Sequence, residues 1–236
     1  MRYLGGKKKI GKEISEVLKN YGPVNKYPIY IEPFCGCLSV TIHMVDEYKV
    51  YISDVQKDLI LLWKEIKSGV FKEPKSVSKK TWEKYKNEEP SALRAFIGFG
   101  CSFGGKWFST FANDYCSQNV DYSKRTINSL KKMEPGIKKI NKISCHSYEK
   151  LDTPKLKGFL IYCDPPYKNS TGYSASNNFD SDKFWNIVRK WSKYNIVIVS
   201  EFNAPKDFKC IWKKNKITNW GGQQGVMTEK LFIKRN

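Results

Sequence analysis

The stretch KVYISDVQKDLILLWKEIKSG, residues 49–69, reads as a strand that ends on an acid and runs directly into a helix. Val50, Tyr51 and Ile52 are strand formers, and Asp54 closes their run. After it the apolar residues fall at helical spacing until Gly69 stops the helix. The preceding stretch PIYIEPFCGCLSVTIHMV, residues 28–45, repeats the plan: a buried strand ending at Pro33, then a helix over CLSVTIHMV. Two β-α units in succession make an α/β fold with a doubly wound, mostly parallel sheet the expected architecture. A short amphipathic helix in KKIGKEISEVLK, residues 8–19, precedes them.

The rhythm changes near residue 70. Lysine-rich and turn-rich sequence runs into a helical SALRAFIGF (91–99), then into FGCSFGGKWFSTFA (99–112), dense in glycine and aromatics. A basic helix follows in YSKRTINSLKKMEPGIKKI (122–140), expected to break at Pro135-Gly136. The β-α rhythm then returns with NKISCHS, GFLIYCD, the helix DSDKFWNIVRKWSKY and the β-branched NIVIVS. CIWKKNKI and EKLFIKR read as two more strands that close the sheet in antiparallel fashion. The expected organisation is a catalytic domain from residues 1–65 and 140–236, interrupted by a mainly helical lobe at 66–139.

Among 236 residues, 42 Lys and Arg face 23 Asp and Glu, a formal charge of +19. That excess implies a polyanionic partner, and its spread along the chain favours nucleic acid over a membrane surface. Seven cysteines at irregular spacings, with no apolar leader before them, describe a reduced, cytoplasmic protein. Cys35 and Cys37 form a lone C-x-C and the two histidines have no partner at ligand spacing, so no metal is expected. No apolar stretch reaches the length of a membrane span.

The chemistry centres on LIYCDPPYKN, residues 160–169. Asp164 stands at the carboxyl end of a strand, where open parallel sheets hold their ligands. Pro165 and Pro166 stiffen the turn and have no N–H, so their carbonyls stay free to accept hydrogen bonds. Tyr167 adds a flat surface for stacking a base. Two oxygen acceptors on the hydrogens of an exocyclic amine localise its lone pair for attack on an electrophile. Gly36 lies in the strand-to-helix turn of the first unit, where a bare backbone admits a ligand. Asp54, ending the second strand, is placed to take ribose hydroxyls.

These motifs resemble those of the Dam-type adenine-specific DNA methyltransferases (D12 class, alpha group), of the kind carried by phages and mobile elements, over nearly the whole chain. DPPY matches the family's catalytic motif, EPFCGCLSV its cofactor motif, ISDVQKDLI its ribose-acid pattern and RYLGGK its amino-terminal motif. The resemblance implies S-adenosylmethionine as cofactor, contacted by Tyr3, Lys7, Phe34, Asp54 and Asp164. Ser147 and Tyr148 occupy the positions where the family usually has Asp-Phe facing the cofactor adenine, a weaker acceptor at the first of them. Leu38 replaces a second glycine found in many relatives, which implies a wider turn.

The implied reaction is direct methyl transfer to the N6 amine of an adenine flipped from double-stranded DNA and trapped against Tyr167. Tyr173, in the polar loop KNSTGYSASNN, is expected to reach the cofactor or the flipped base. Recognition is expected in the insertion, where Gly104-Gly105 turns a hairpin that presents Lys106, Trp107 and Phe108 to DNA. Arg94 and Arg125 are further phosphate or guanine contacts. A cognate restriction endonuclease acting on the same site is the partner such an enzyme can have. Three competing readings stand beside this one: the same chemistry on cytosine N4, RNA or glutamine; a catalytically idle DNA binder; and a dinucleotide enzyme, which the lack of G-x-G-x-x-G opposes.

Overall fold

The computed structural model describes residues 1–115, 121–151, 157–167, 179–220 and 223–235. Strands β1 (Ile29–Glu32), β2 (Lys49–Asp54), β3 (Lys142–Cys145), β4 (Phe159–Cys163), β5 (Ile196–Glu201), β6 (Phe208–Trp220) and β7 (Gln223–Lys234) form one sheet. Their order is β3-β2-β1-β4-β5-β7-β6. The first five named run parallel, and the β6–β7 pair closes the edge antiparallel, with Ser200 opposite Leu231. The expected doubly wound α/β sheet with its antiparallel close is therefore what the chain builds.

Period-two alternation along the strands assigns each side chain to a face. Tyr30, Val50 and Tyr162 point into a cluster completed by helices α1 (Gly11–Tyr21) and α2 (Lys57–Ser68). Ile31, Ile161 and Cys163 point the other way, under helix α6 (Ser181–Trp191) with Phe184, Val188 and Trp191. Both faces are covered, which explains why these strands read as nearly continuous apolar runs. Between α2 and β3 come α3 (Lys79–Tyr85), α4 (Ala92–Ala95) and α5 (Tyr122–Lys139). Their Trp82, Ala95, Leu130 and Ile137 join the α1–α2 side of the core.

Three local expectations are corrected. Residues 37–45 do not form an α-helix; one 3₁₀ turn, Thr41–His43, stands there. The β-branched Val40, Thr41 and Ile42 disfavour a helix, and the Thr41 hydroxyl is engaged with the carboxylate of Glu32. Second, α5 runs unbroken through Pro135, with Ile137 beyond it fully buried. Third, the turn at Leu38 is tight rather than wide: the Leu38 N–H donates to the Cys35 carbonyl at 2.9 Å. Leu38 itself keeps the left-handed backbone, φ 60°, that a glycine would hold without strain.

Leu38 is also 0% exposed, so two effects oppose one another there. Left-handed backbone costs an L-residue about 1–2 kcal/mol, whereas truncating a buried Leu costs about 2–5 kcal/mol. Leu38→Gly is expected to destabilise the protein by roughly 1–3 kcal/mol in urea denaturation. A raised midpoint would mean that the strain outweighs the packing.

Candidate active site

Strands β1 and β4 are neighbours, and sequence order reverses between them. At such a switch point the loops leaving the two carboxyl ends part and leave a crevice. Phe34 to Gly36 follow β1, and Asp164 to Tyr167 follow β4, so the two quoted motifs meet there.

On the β1 side, Gly36 has φ +44°, and a Cβ on it would come within 3.3 Å of the Tyr3 ring. Its N–H donates to Asp54 Oδ2 at 3.0 Å, and the Gln56 N–H donates to Oδ1 at 3.0 Å. Burial pushes the Asp54 carboxyl up from the ordinary range, against the pull of those backbone donors. A carboxylate offers about four acceptor sites. With the Val55 backbone also bonded to it, Asp54 keeps about one acceptor site open, enough for one hydroxyl donor. Phe34 lies 5.1 Å from Tyr148 between ring centres, in an aromatic group with Phe179 and Phe184. The Ser147 hydroxyl accepts the Glu149 N–H, capping the 3₁₀ turn Tyr148–Lys150.

On the β4 side, Lys7 is buried, with its ammonium 2.7 Å from Asp164 Oδ1 and 3.6 Å from Glu229 Oε1. It also donates to the Gly5 carbonyl at 3.2 Å and lies 4.8 Å from the centre of the Tyr167 ring. Burial alone would pull Lys7 down, but the two carboxylates outweigh it and hold it above its ordinary value. Burial pushes Asp164 up, and Lys7 opposes that rise. The Tyr167 hydroxyl lies 3.2 Å from Asp164 Oδ1 and bonds Glu229, while its ring meets Phe202 edge-on at 4.6 Å. Ser200 donates to Glu229 Oε1 at 2.9 Å.

Glu229 and Ser200 were not among the expected site residues, although a signal existed. Alternation along β7 sets Glu229 on the same face as the buried Leu231, an inward acid in a strand. Glu32, quoted only as part of a motif, is a second such acid. Its Oε2 accepts from the hydroxyls of Tyr30, at 2.6 Å, and Thr41. Burial pushes its carboxyl up to about 8.

The expected DNA contacts part company. Arg94 is bonded within the fold: its guanidinium pairs with Asp58 at 3.2 Å and donates to the carbonyls of Tyr85 and Lys86. Trp107 and Phe108 turn inward, 4.5 Å from Phe99 and 5.6 Å from Trp82 respectively. Gly98 makes this possible, because a Cβ there would meet both rings at 2.5–2.6 Å. The Gly104-Gly105 segment forms a 3₁₀ turn beside a single bridge, Ser102 to Phe111, instead of an extended hairpin. Lys106 and Arg125 are exposed, and Arg125 shares the Tyr122 ring with the exposed Arg2, at 5.7 and 5.3 Å. Tyr173 lies outside the described residues. Among the described residues no metal-binding cluster occurs, and no helix is long and apolar enough to cross a membrane.

The family model of the D12 class N6 adenine-specific DNA methyltransferases matches residues 3–92 and 108–226. The chain is 25% identical over 247 residues to the Type II methyltransferase M.MjaIII of Methanocaldococcus jannaschii, covering 88% of this chain and 85% of that one. Among solved structures it is similar to the rRNA methyltransferase aviRa from Streptomyces viridochromogenes: TM-score 0.44, 10% identity, 96% of this chain and 84% of the other. It is also similar to a precorrin-6y C5,15-methyltransferase from Geobacter metallireducens GS-15: TM-score 0.40, 6% identity, 95% and 88% covered. These two structural likenesses are loose.

Glu32 carries a pH signature. A carboxyl raised from 4.5 to about 8 contributes stability that is full below 4.5 and is lost as pH rises through about 8. Glu32→Gln keeps an acceptor for Tyr30 and Thr41 but cannot ionise. Across that window the urea midpoint of the wild type should fall relative to the variant. A difference that stays constant with pH would count against a neutral Glu32.

Proposed function

The chain belongs to the D12 class N6 adenine-specific DNA methyltransferase family, and on that premise we propose that it methylates adenine at a specific DNA site, with S-adenosylmethionine as donor and a flipped base as acceptor. The observation that carries the reading is the position of Asp164, on a proline-stiffened turn at the sheet's switch point beside the end of β1.

The residues present fit the donor molecule. Asp54 keeps an acceptor site for a ribose hydroxyl, Gly36 gives backbone access, and Phe34 with Tyr148 offers flat apolar surface. Tyr3 over Gly36, Lys7 beside Asp164, and Ser147 at the head of its turn complete the proposed binding set. When bound, S-adenosylmethionine supplies an electrophilic methyl group on a sulfonium. Asp164 and a carbonyl of the Pro165-Pro166 pair accept the two N–H groups of the adenine amine, which localises its lone pair towards that methyl. Tyr167 supports the extruded base by stacking, worth about 1–3 kcal/mol per base in single-stranded complexes, which offsets flipping costs of a few kcal/mol.

We further assign DNA-site recognition to the lobe at 66–139, with Lys106, Arg125 and Arg2 as phosphate contacts. Their exposure and the formal charge of +19 support this. The Type II designation of the archaeal relative supports a cognate restriction endonuclease as partner.

Treated DNA digested to nucleosides should yield N6-methyl-2′-deoxyadenosine as its modified product. N4-methylcytosine alone would overturn the choice of acceptor. Asp164→Ala should still bind DNA yet leave it unmodified. Binding of the wild type should weaken steeply with added salt, since each phosphate neutralised contributes a slope near −0.9 in log K against log salt. Reversing Lys106 or Arg125 to Glu should flatten that slope, and an unchanged slope would remove them from the interface.

A further inference from the structure

We propose that Glu229 is a positioning residue for methyl transfer: a second carboxylate, on β7, that holds the Tyr167 hydroxyl and shares Lys7 so that Asp164 can turn to the target amine. The proposal rests on the adenine-methylation reading and adds to it a residue outside the family motifs quoted above. Its basis is geometric. Glu229 is 2% exposed, on an antiparallel strand that carries none of those motifs, yet its Oε1 meets the Tyr167 hydroxyl, Ser200 Oγ at 2.9 Å and Lys7 Nζ at 3.6 Å.

Asp164 cannot serve everything that now faces it. Its Oδ1 accepts from Lys7 at 2.7 Å and lies 3.2 Å from the Tyr167 oxygen. A hydroxyl has one proton to give, and an ionised carboxylate has none. Tyr167 can therefore donate fully to only one of the two acids, and Glu229 is the nearer. With Tyr167 donating to Glu229, the competitor left for Asp164 among the described residues is Lys7, which already lies between the two acids. A small swing of the ammonium from 2.7 Å on Asp164 towards Glu229 frees Oδ1 to accept an N–H. Glu229 also fixes the ring that receives the base, since the hydroxyl end is tied to it and the ring edge rests on Phe202. Ser200, reaching from β5, locks the acid in turn.

Glu229→Gln keeps the shape and an acceptor for both hydroxyls while removing the charge that Lys7 needs. Misplacement of reacting groups on the ångström scale costs on the order of a hundred-fold in rate. We expect kcat to fall by that order in Glu229→Gln, with a lowered melting temperature that still leaves the protein folded at the assay temperature and with KM for DNA unchanged, and Glu229→Asp to recover part of the loss. The titratable groups facing Asp164 are Lys7, Tyr167, Glu229, Tyr162, Glu32 and the buried thiols Cys37 and Cys163. Removing the Glu229 charge lifts its repulsion from Asp164 and its hold on Lys7, so both limbs of the kcat–pH profile should move to lower pH. In the free protein, the ¹³Cζ resonance of Tyr167, identified by its loss in Tyr167→Phe, should shift in Glu229→Gln.

Wild-type kcat and pH profile in Glu229→Gln, or an unmoved Tyr167 resonance, would overturn the proposal while leaving adenine methylation standing. Loss of activity together with melting temperature, with no movement of the pH limbs, would make Glu229 a structural acid only and overturn it equally. A wild type that methylates no adenine would sink the underlying reading instead, and the Tyr167 resonance would still decide whether Glu229 holds that ring.

Discussion

A buried ammonium, that of Lys7, is the point on which the crevice depends. It is 4% exposed, and such a charge is tolerable only when counter-charges stand close by. Asp164 and Glu229 supply them from β4's turn and from β7. The amino-terminal turn, the proline-stiffened motif and the antiparallel edge of the sheet are thereby tied into one electrostatic unit. None of the three segments is near the others in sequence. The desolvation that raises Asp164 and would lower Lys7 is what makes their pairing obligatory.

The same economy appears one strand over. Glu32 ends β1, Asp54 ends β2 and Asp164 follows β4, so three acids line the carboxyl edge of neighbouring parallel strands. Each is handled differently. Backbone N–H groups hold Asp54, an ammonium holds Asp164, and two hydroxyls hold Glu32, which burial keeps protonated up to about pH 8. Distinct protonation preferences among acids that lie this close are the expected result when their partners differ in charge.

The fold was legible because KVYISD followed by a capped apolar helix leaves little choice, and because both sheet faces are covered, so strands announce themselves as apolar runs. DPPY and the glycine of EPFCGC were legible because their backbone requirements are rare. What escaped was tertiary. A proline in α5 reads as a break, yet the buried Ile137 beyond it shows packing overriding that local preference. Trp107 and Phe108 read as groove-facing aromatics, but Gly98 clears a place for both rings inside. The Arg94 guanidinium reads as a phosphate contact, though Asp58, thirty-six positions away, claims it. Glu229 lay in a stretch read only as a strand, and the partner that gives it meaning, Tyr167, is 62 residues distant.

Gly105 seats the insertion directly against the amino-terminal motif. A Cβ there would fall 2.5 Å from the backbone nitrogen of Tyr3, and its carbonyl accepts the Leu4 N–H at 3.1 Å. The loop that carries Lys106 thus rests directly on the strand of chain leading to Lys7. The exposed Lys106 next to Gly105 can change without touching this contact, but position 105 itself must stay bare of a side chain. A side chain added at 105 would push the amino-terminal turn aside, and the displacement would reach the buried Lys7, four residues on from Tyr3, and its pairing with Asp164.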